Sequence, residues 1–334
     1  MFHRTTARAA AIALAAGPAA FAGVANDVSL TLTDANAAVT ATTDPVYTVA
    51  GNLVVNFTTK SFSPGQFIVD GDGTAQNPPS PLPENGRAFL NGGAIGFGSM
   101  SVASQTSALY VNTSLNTGTA DNAGLIEVGN GAVLSAGTFA NGRTLAVAAG
   151  ATVSAGTFSS TNASPAEAVV AGAGTIQANA IDLGNSQLNP GDGSAVGTLT
   201  FDNDAATASP VTLAETYFSV DFLSGAGITH DALAFTGDVT AGGFILADFS
   251  QFTSAELIGH GRFTVLTGRL VGGAFTELDP SQFAITDGGS EVVGNMVQGS
   301  NGTSVYYDFV AVPEPAALGL IGGAAAVALR RRRR

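Results

Sequence analysis

The residues whose spacing could do chemistry are Asp70 and Asp72, two apart in the glycine-rich stretch VDGDGTAQN from Val69 to Asn77. Carboxylates at that spacing open a calcium loop, which also wants a third oxygen ligand two residues on and a bidentate acid near its end. Thr74 stands in the third place, and Asn77 and prolines follow. The ligand set is incomplete, and an acidic surface turn accounts for the same residues. We expect no cofactor, with calcium at Asp70 and Asp72 the one metal site the sequence offers.

Hydrolytic chemistry would need a nucleophile beside a base, or two carboxylates on one face. Asp279 and Asp287 flank a predicted strand, and His230, Asp231 and His260 stand near strand ends, but no such pair recurs. The chain has no cysteine, which removes thiol chemistry, disulfides and Cys-based zinc sites, and its three histidines are scattered. We therefore expect no catalytic activity. The alternative is an extracellular carbohydrate-active enzyme, a polysaccharide lyase or glycosidase, with acids and aromatics lining a strand-end groove.

Charge narrows the partners. Of 12 Lys and Arg residues, Arg4 and Arg8 lie near the start and five arginines close the chain, so 12 − 7 = 5 remain: Lys60, Arg87, Arg143, Arg262 and Arg269. Of the 25 acids Glu314 lies in the closing segment, so 24 remain and the body carries 5 − 24 = −19. Such a surface repels nucleic acid and anionic lipid, so neither is expected as a partner of the body.

The elements that would position any site are strands. The chain of 334 residues has 43 glycines and only 11% charged residues, a composition for short strands and tight turns rather than long helices. IEVGNGAVLSAGTF (Ile126 to Phe139) recurs as LAVAAGATVSAGTF (Leu145 to Phe158), a shift of 154 − 135 = 19 residues. A degenerate third copy, EAVVAGAGTIQANAI, puts Ala168, Val170, Ile176 and Ile181 at 23 residues beyond their second-copy counterparts, with the extra residues in SSTNASPA. Apolar positions two apart on a period near 20 predict stacked rungs of short strands, Phe139 under Phe158 and Leu134 under Val153. An antiparallel β-sandwich is the alternative. Further on, Phe218, Val220 and Phe222 alternate as a half-buried strand should.

The termini read as addresses. Arg4 and Arg8, an apolar run from Ala9 to Ala16, and the small-x-small patterns Ala20-Phe21-Ala22 and Gly23-Val24-Ala25 make residues 1–25 a predicted secretory signal. At the other end, Pro313-Glu314-Pro315 precedes an apolar stretch from Ala316 to Leu329 and then Arg330, Arg331, Arg332, Arg333 and Arg334. The prolines hold the tripeptide extended, and the arginines stay cytoplasmic while the apolar run inserts. Residues 26–122 are read as an N-terminal β-rich region, 123–310 as the repeat region and 311–334 as the sorting segment.

Two resemblances follow from these motifs. Asn189-Pro190-Gly191, Gly197-Thr198-Leu199-Thr200, HDALAFTGDVTAGG and FTVLTGRLVGGAF resemble the passenger repeats of autotransporter-like surface proteins over Ala123 to Phe309. That implies a right-handed parallel β-helix, here without the family's outer-membrane barrel. The closing segment resembles the PEP-CTERM sorting signal of Gram-negative bacteria. This implies processing by signal peptidase and an exosortase, transient anchoring in the inner membrane, and delivery to the cell surface or extracellular matrix. The apolar stretch departs from the family in being shorter than a hydrocarbon core. The expected function is that of a structural or adhesin-like surface protein whose partner is exopolysaccharide or a cell-surface glycan.

Overall fold

A computed structural model describes residues 30–33, 46–49, 51–70, 86–162, 167–191, 196–203, 210–224, 227–247, 249, 252–277, 284–287, 290–298 and 303–311. The protein is all-β, with one short helix, Ser254–His260, among these residues. Between Leu30 and Val220 every paired ladder of named strands is parallel, and successive strands are hydrogen-bonded to strands about one repeat away. The antiparallel sandwich has no counterpart there.

Inward side chains stack in three columns. Leu53, Ala88, Leu109, Ile126, Leu145, Val170 and Leu188 occupy matched positions of the first. The second carries Leu115, Leu134, Val153, Ile176, Phe201 and Phe235. The third carries Tyr47, Phe67, Met100, Ala120, Phe139, Phe158 and Ile181. All are buried, and they belong to one continuous hydrophobic cluster from Tyr47 to Phe309. Alternation of inward and outward residues lets each strand bury one face and wet the other. The columns begin well before Ala123, within the stretch whose fold the sequence left unspecified.

The first two copies register as their 19-residue shift requires: Ile126 on Leu145, Leu134 on Val153, Phe139 on Phe158. The third copy departs from the uniform shift. Val153 meets Ile176 and Phe158 meets Ile181, 23 residues on, but Leu145 meets Val170, at 170 − 145 = 25. A slip of two keeps every side chain on its own face. The following turn absorbs it, with Val147 to Thr152 replaced by the shorter Gly172 to Thr175. Gly172 makes this possible: its φ is +109, and a Cβ there would lie 2.1 Å from the carbonyl oxygen of Val147.

One inward column changes chemistry along its length. Val49, Val69 and Val102 give way to Asn122, Asn141 and Ser160, all buried. Asn122 Nδ2 donates to Asn141 Oδ1 (2.8 Å) and to the Thr144 carbonyl (2.8 Å), and its Oδ1 accepts from the Gly124 amide (3.1 Å). Asn141 Nδ2 donates to Ser160 Oγ and to the Val169 carbonyl, both at 3.0 Å. The carboxamides give the buried polar side chains partners on the next turn, and Asn122 Oδ1 also takes up the turn amide of Gly124.

The sheet changes sense at strand Arg262–Gly273. Leu266 pairs in parallel with Leu233 on one side and antiparallel with Val305 on the other. Strands Ser304–Ala311, Ser290–Gln298 and Ala284–Asp287 continue antiparallel, covering that part of the edge.

Candidate functional site: a neutral groove across the strands

The repeat SAGTF builds the site. In Ser135-Ala136-Gly137-Thr138-Phe139 the in–out alternation breaks at Gly137 and Thr138, both exposed, so the chain turns a corner between the second and third columns. Ser154 to Phe158 repeats this, and Asn116 to Ala120 shows the same pattern one turn earlier. Glycine is required at the corner. A Cβ on Gly137 would stand 2.6 Å from the Gly118 carbonyl oxygen, one on Gly156 2.6 Å from that of Gly137, and one on Gly118 2.5 Å from that of Gly98. These glycines lie too close along the corner for side chains, which leaves a shallow trough.

The trough is a groove of about 500 Å³, lined by Asn116, Ser135, Ala136, Gly137, Ser154, Ala155, Gly156, Gln177, Ala178 and Asn179. Asn116, Ser135, Ser154 and Gln177 form one registered row of outward side chains along it. On the other side of the glycines, Thr119, Thr138 and Thr157 form a second row, all exposed. The lining offers hydroxyls and carboxamides, which both donate and accept, and no ionisable group. In a chain of formal charge −13 that neutrality is local. The first row continues to Asp202, whose carboxylate accepts from Gln177 Nε2 (3.4 Å) and Thr236 Oγ1 (2.6 Å).

The residues singled out from sequence fall elsewhere. Asp70 is exposed just after strand Gln66–Val69, its amide donating to the Val49 carbonyl (2.9 Å); Asp72 lies outside the described residues. So do Asp279 and the sorting residues Pro313, Glu314, Pro315 and Arg330 to Arg334, as does the predicted secretory signal. Among the described residues no three of His, Cys, Asp and Glu gather where a metal could sit, and no helix is long and apolar enough to cross a membrane.

Asp231 is buried, and its carboxylate accepts the Gly197 amide (2.7 Å) and the Asp221 amide (3.2 Å), so it ties two loops together. Its neighbour His230 is half-buried with Nδ1 2.8 Å from the Asp231 carbonyl. Burial pushes the His230 pKa below its usual value, the backbone bond opposes this, and nearby His260 adds to it. Sequence reasoning missed Asn116, Ser135, Ser154 and Gln177. Their signal was present in the outward letters of SAGTF, but the inward letters were the ones that revealed the repeat.

No protein-family model matches this chain, and no curated protein matches it.

Proposed function

We propose that this chain is an exported, non-catalytic surface or matrix protein that holds a neutral glycan strand along its corner groove. Its body, on this reading, is a right-handed parallel β-helix. The observation that carries the proposal is the groove from Asn116 to Asn179: uncharged, lined by hydroxyls and carboxamides, and repeating with the strands. Neighbouring strands lie about 4.8 Å apart, close to the length of one unit of an extended 1,4-linked sugar chain. A polymer of neutral sugars can therefore meet an amide or a hydroxyl at each step, with hydroxyls that pair both as donors and as acceptors. Individual contacts are weak in so open a trough, so affinity comes from many units bound in line.

The stacked strands also suit a spacer, because each repeat needs only its neighbours to be buried. Export is supported by the basic, apolar and small order of residues 1–25. The Pro313-Glu314-Pro315, apolar and arginine order at the other end supports exosortase processing, with the inner membrane as a transient anchor.

The test is a glycan array followed by product analysis on the purified chain, with and without a calcium chelator. Retention of neutral linear glycans without turnover is expected. The outward substitutions Ser135→Tyr and Ser154→Tyr should keep the fold, since tyrosine suits a half-buried outward strand position, yet fill the groove and weaken binding by about tenfold or more. Binding unchanged by both substitutions would remove the groove from the reading. Turnover lost on changing a single Asp or Glu would make the protein a carbohydrate-active enzyme instead.

A further inference from the structure

We propose that the C-terminal antiparallel strands are held to the parallel body by an acid-sensitive latch in which His230 and His260 bracket Phe263. The junction is an aromatic cluster drawn from several segments. Phe222 meets Phe249 at 4.3 Å between ring centroids and Phe263 at 5.5 Å. Phe249 meets Phe309 at 4.8 Å, and Phe263 meets Phe309 at 5.6 Å. Phe222 and His230 are paired across the hairpin of strands Phe222–Ser224 and Ile228–His230, whereas Phe309 belongs to the C-terminal strand Ser304–Ala311. These rings join body to cap.

The two imidazoles enter that cluster from opposite elements. His260, the last residue of the short helix, stacks on Phe263 at 4.1 Å with planes 9° apart. His230 approaches Phe263 at 5.7 Å and Phe222 at 5.6 Å. With Nδ1–H donated to the Asp231 carbonyl, a neutral His230 fits among rings. Protonation places a cation in a half-buried apolar site, and a charge on His260 across the same ring makes it costlier.

The other charged groups on the surrounding elements have their own engagements. Asp231 accepts the Gly197 and Asp221 amides, and the Asp221 side chain is exposed. Glu256 accepts from the Thr253 amide and hydroxyl. Arg262 pairs with Asp308 at 2.8 Å and lies over the Tyr306 ring. Burial, together with His260, already depresses the His230 pKa, in keeping with a site that rejects the proton. Acid loosens the hairpin and cap while the stacked strands stay closed.

Hydrogen exchange on the full chain tests this, with rates corrected for the intrinsic effect of pH. Between about pH 7.5 and about pH 5, amides of 222–230 and 304–309 should exchange about tenfold faster relative to those of 126–158. H230Q/H260Q should abolish that difference. Should the double variant fail to fold, H260Q alone, at an exposed position, should reduce it. Equal relative protection of wild type at both pH values would overturn the latch, as would a full wild-type response in H260Q together with H230Q. Neither result bears on glycan binding in the groove.

Discussion

Phe158 sits directly over Phe139, with ring centroids 5.5 Å apart and planes 27° from parallel, and both rings are buried. The contact joins residues 19 apart through strands paired along their whole length, Leu134 to Val153 and Ala136 to Ala155 included. Phe158→Ala removes most of a buried side chain from a column closed above by Ile181 and below by Phe139, which limits how far the site can collapse. Destabilisation of about 3–5 kcal/mol is expected, read as a fall in the denaturant midpoint at unchanged slope.

Asn141 should be nearly as costly. Its amide accepts from Asn122 and donates to Ser160 and the Val169 carbonyl, so Asn141→Leu leaves the buried Asn122 and Ser160 side chains and the half-buried Val169 carbonyl without that partner. A loss of about 2–3 kcal/mol is expected in equilibrium unfolding. Asn141→Asp should lose more at neutral pH, because a carboxylate cannot donate to Ser160 Oγ and would be buried against the Val169 carbonyl.

The corner glycines separate close approach from mere flexibility. A Cβ on Gly137 meets backbone at 2.6 Å, whereas Gly131, at φ +73, has nothing within 4 Å of a built Cβ. Gly137→Ala should cost about 1–3 kcal/mol by forcing adjacent turns apart. Gly131→Asn should be almost silent, because asparagine tolerates the left-handed region and the space is empty. Thermal melts of the two variants side by side check the contrast.

These residues show what the sequence made legible. A 19-residue shift fixes which side chains point in, because parity along a strand is strict, and Phe139 and Leu134 therefore found their partners. The slip at Val170 was not visible, since moving a strand by two residues preserves the pattern of apolar letters while changing every partner. The groove was hidden for a related reason. Its floor depends on how closely Gly118, Gly137 and Gly156 approach one another, a distance between turns that no single strand encodes. The calcium pattern at Asp70 and Asp72 was conspicuous because it is local, and Asp70 lies exposed beside a strand end.

The pH dependence of stability follows from His230. Its pKa is lowered in the fold from 6.5, mainly by burial, so the unfolded chain takes the proton more readily than the native one. Stability is therefore full above pH 6.5 and declines as the pH falls below it, until the folded histidine also protonates. Melting temperature should drop on acidification through that window, and His230→Gln should flatten this part of the profile. Calorimetry across the range measures it.

The final prediction concerns the two ends of the chain, on which the proposed surface location rests. In a host with an exosortase, the mature protein should begin near Gly23 or Asn26 and lack Arg330 to Arg334. Proline disfavours helix at its own position and at the residue before it, and the proposed processing calls on that property at Pro313-Glu314-Pro315. Changing all three residues to alanine removes that restriction and should strand full-length precursor in the inner membrane. Intact-mass analysis of surface-extracted and membrane fractions measures both. Surface protein that still carries the arginines would separate this chain from the sorting pathway that its closing segment resembles.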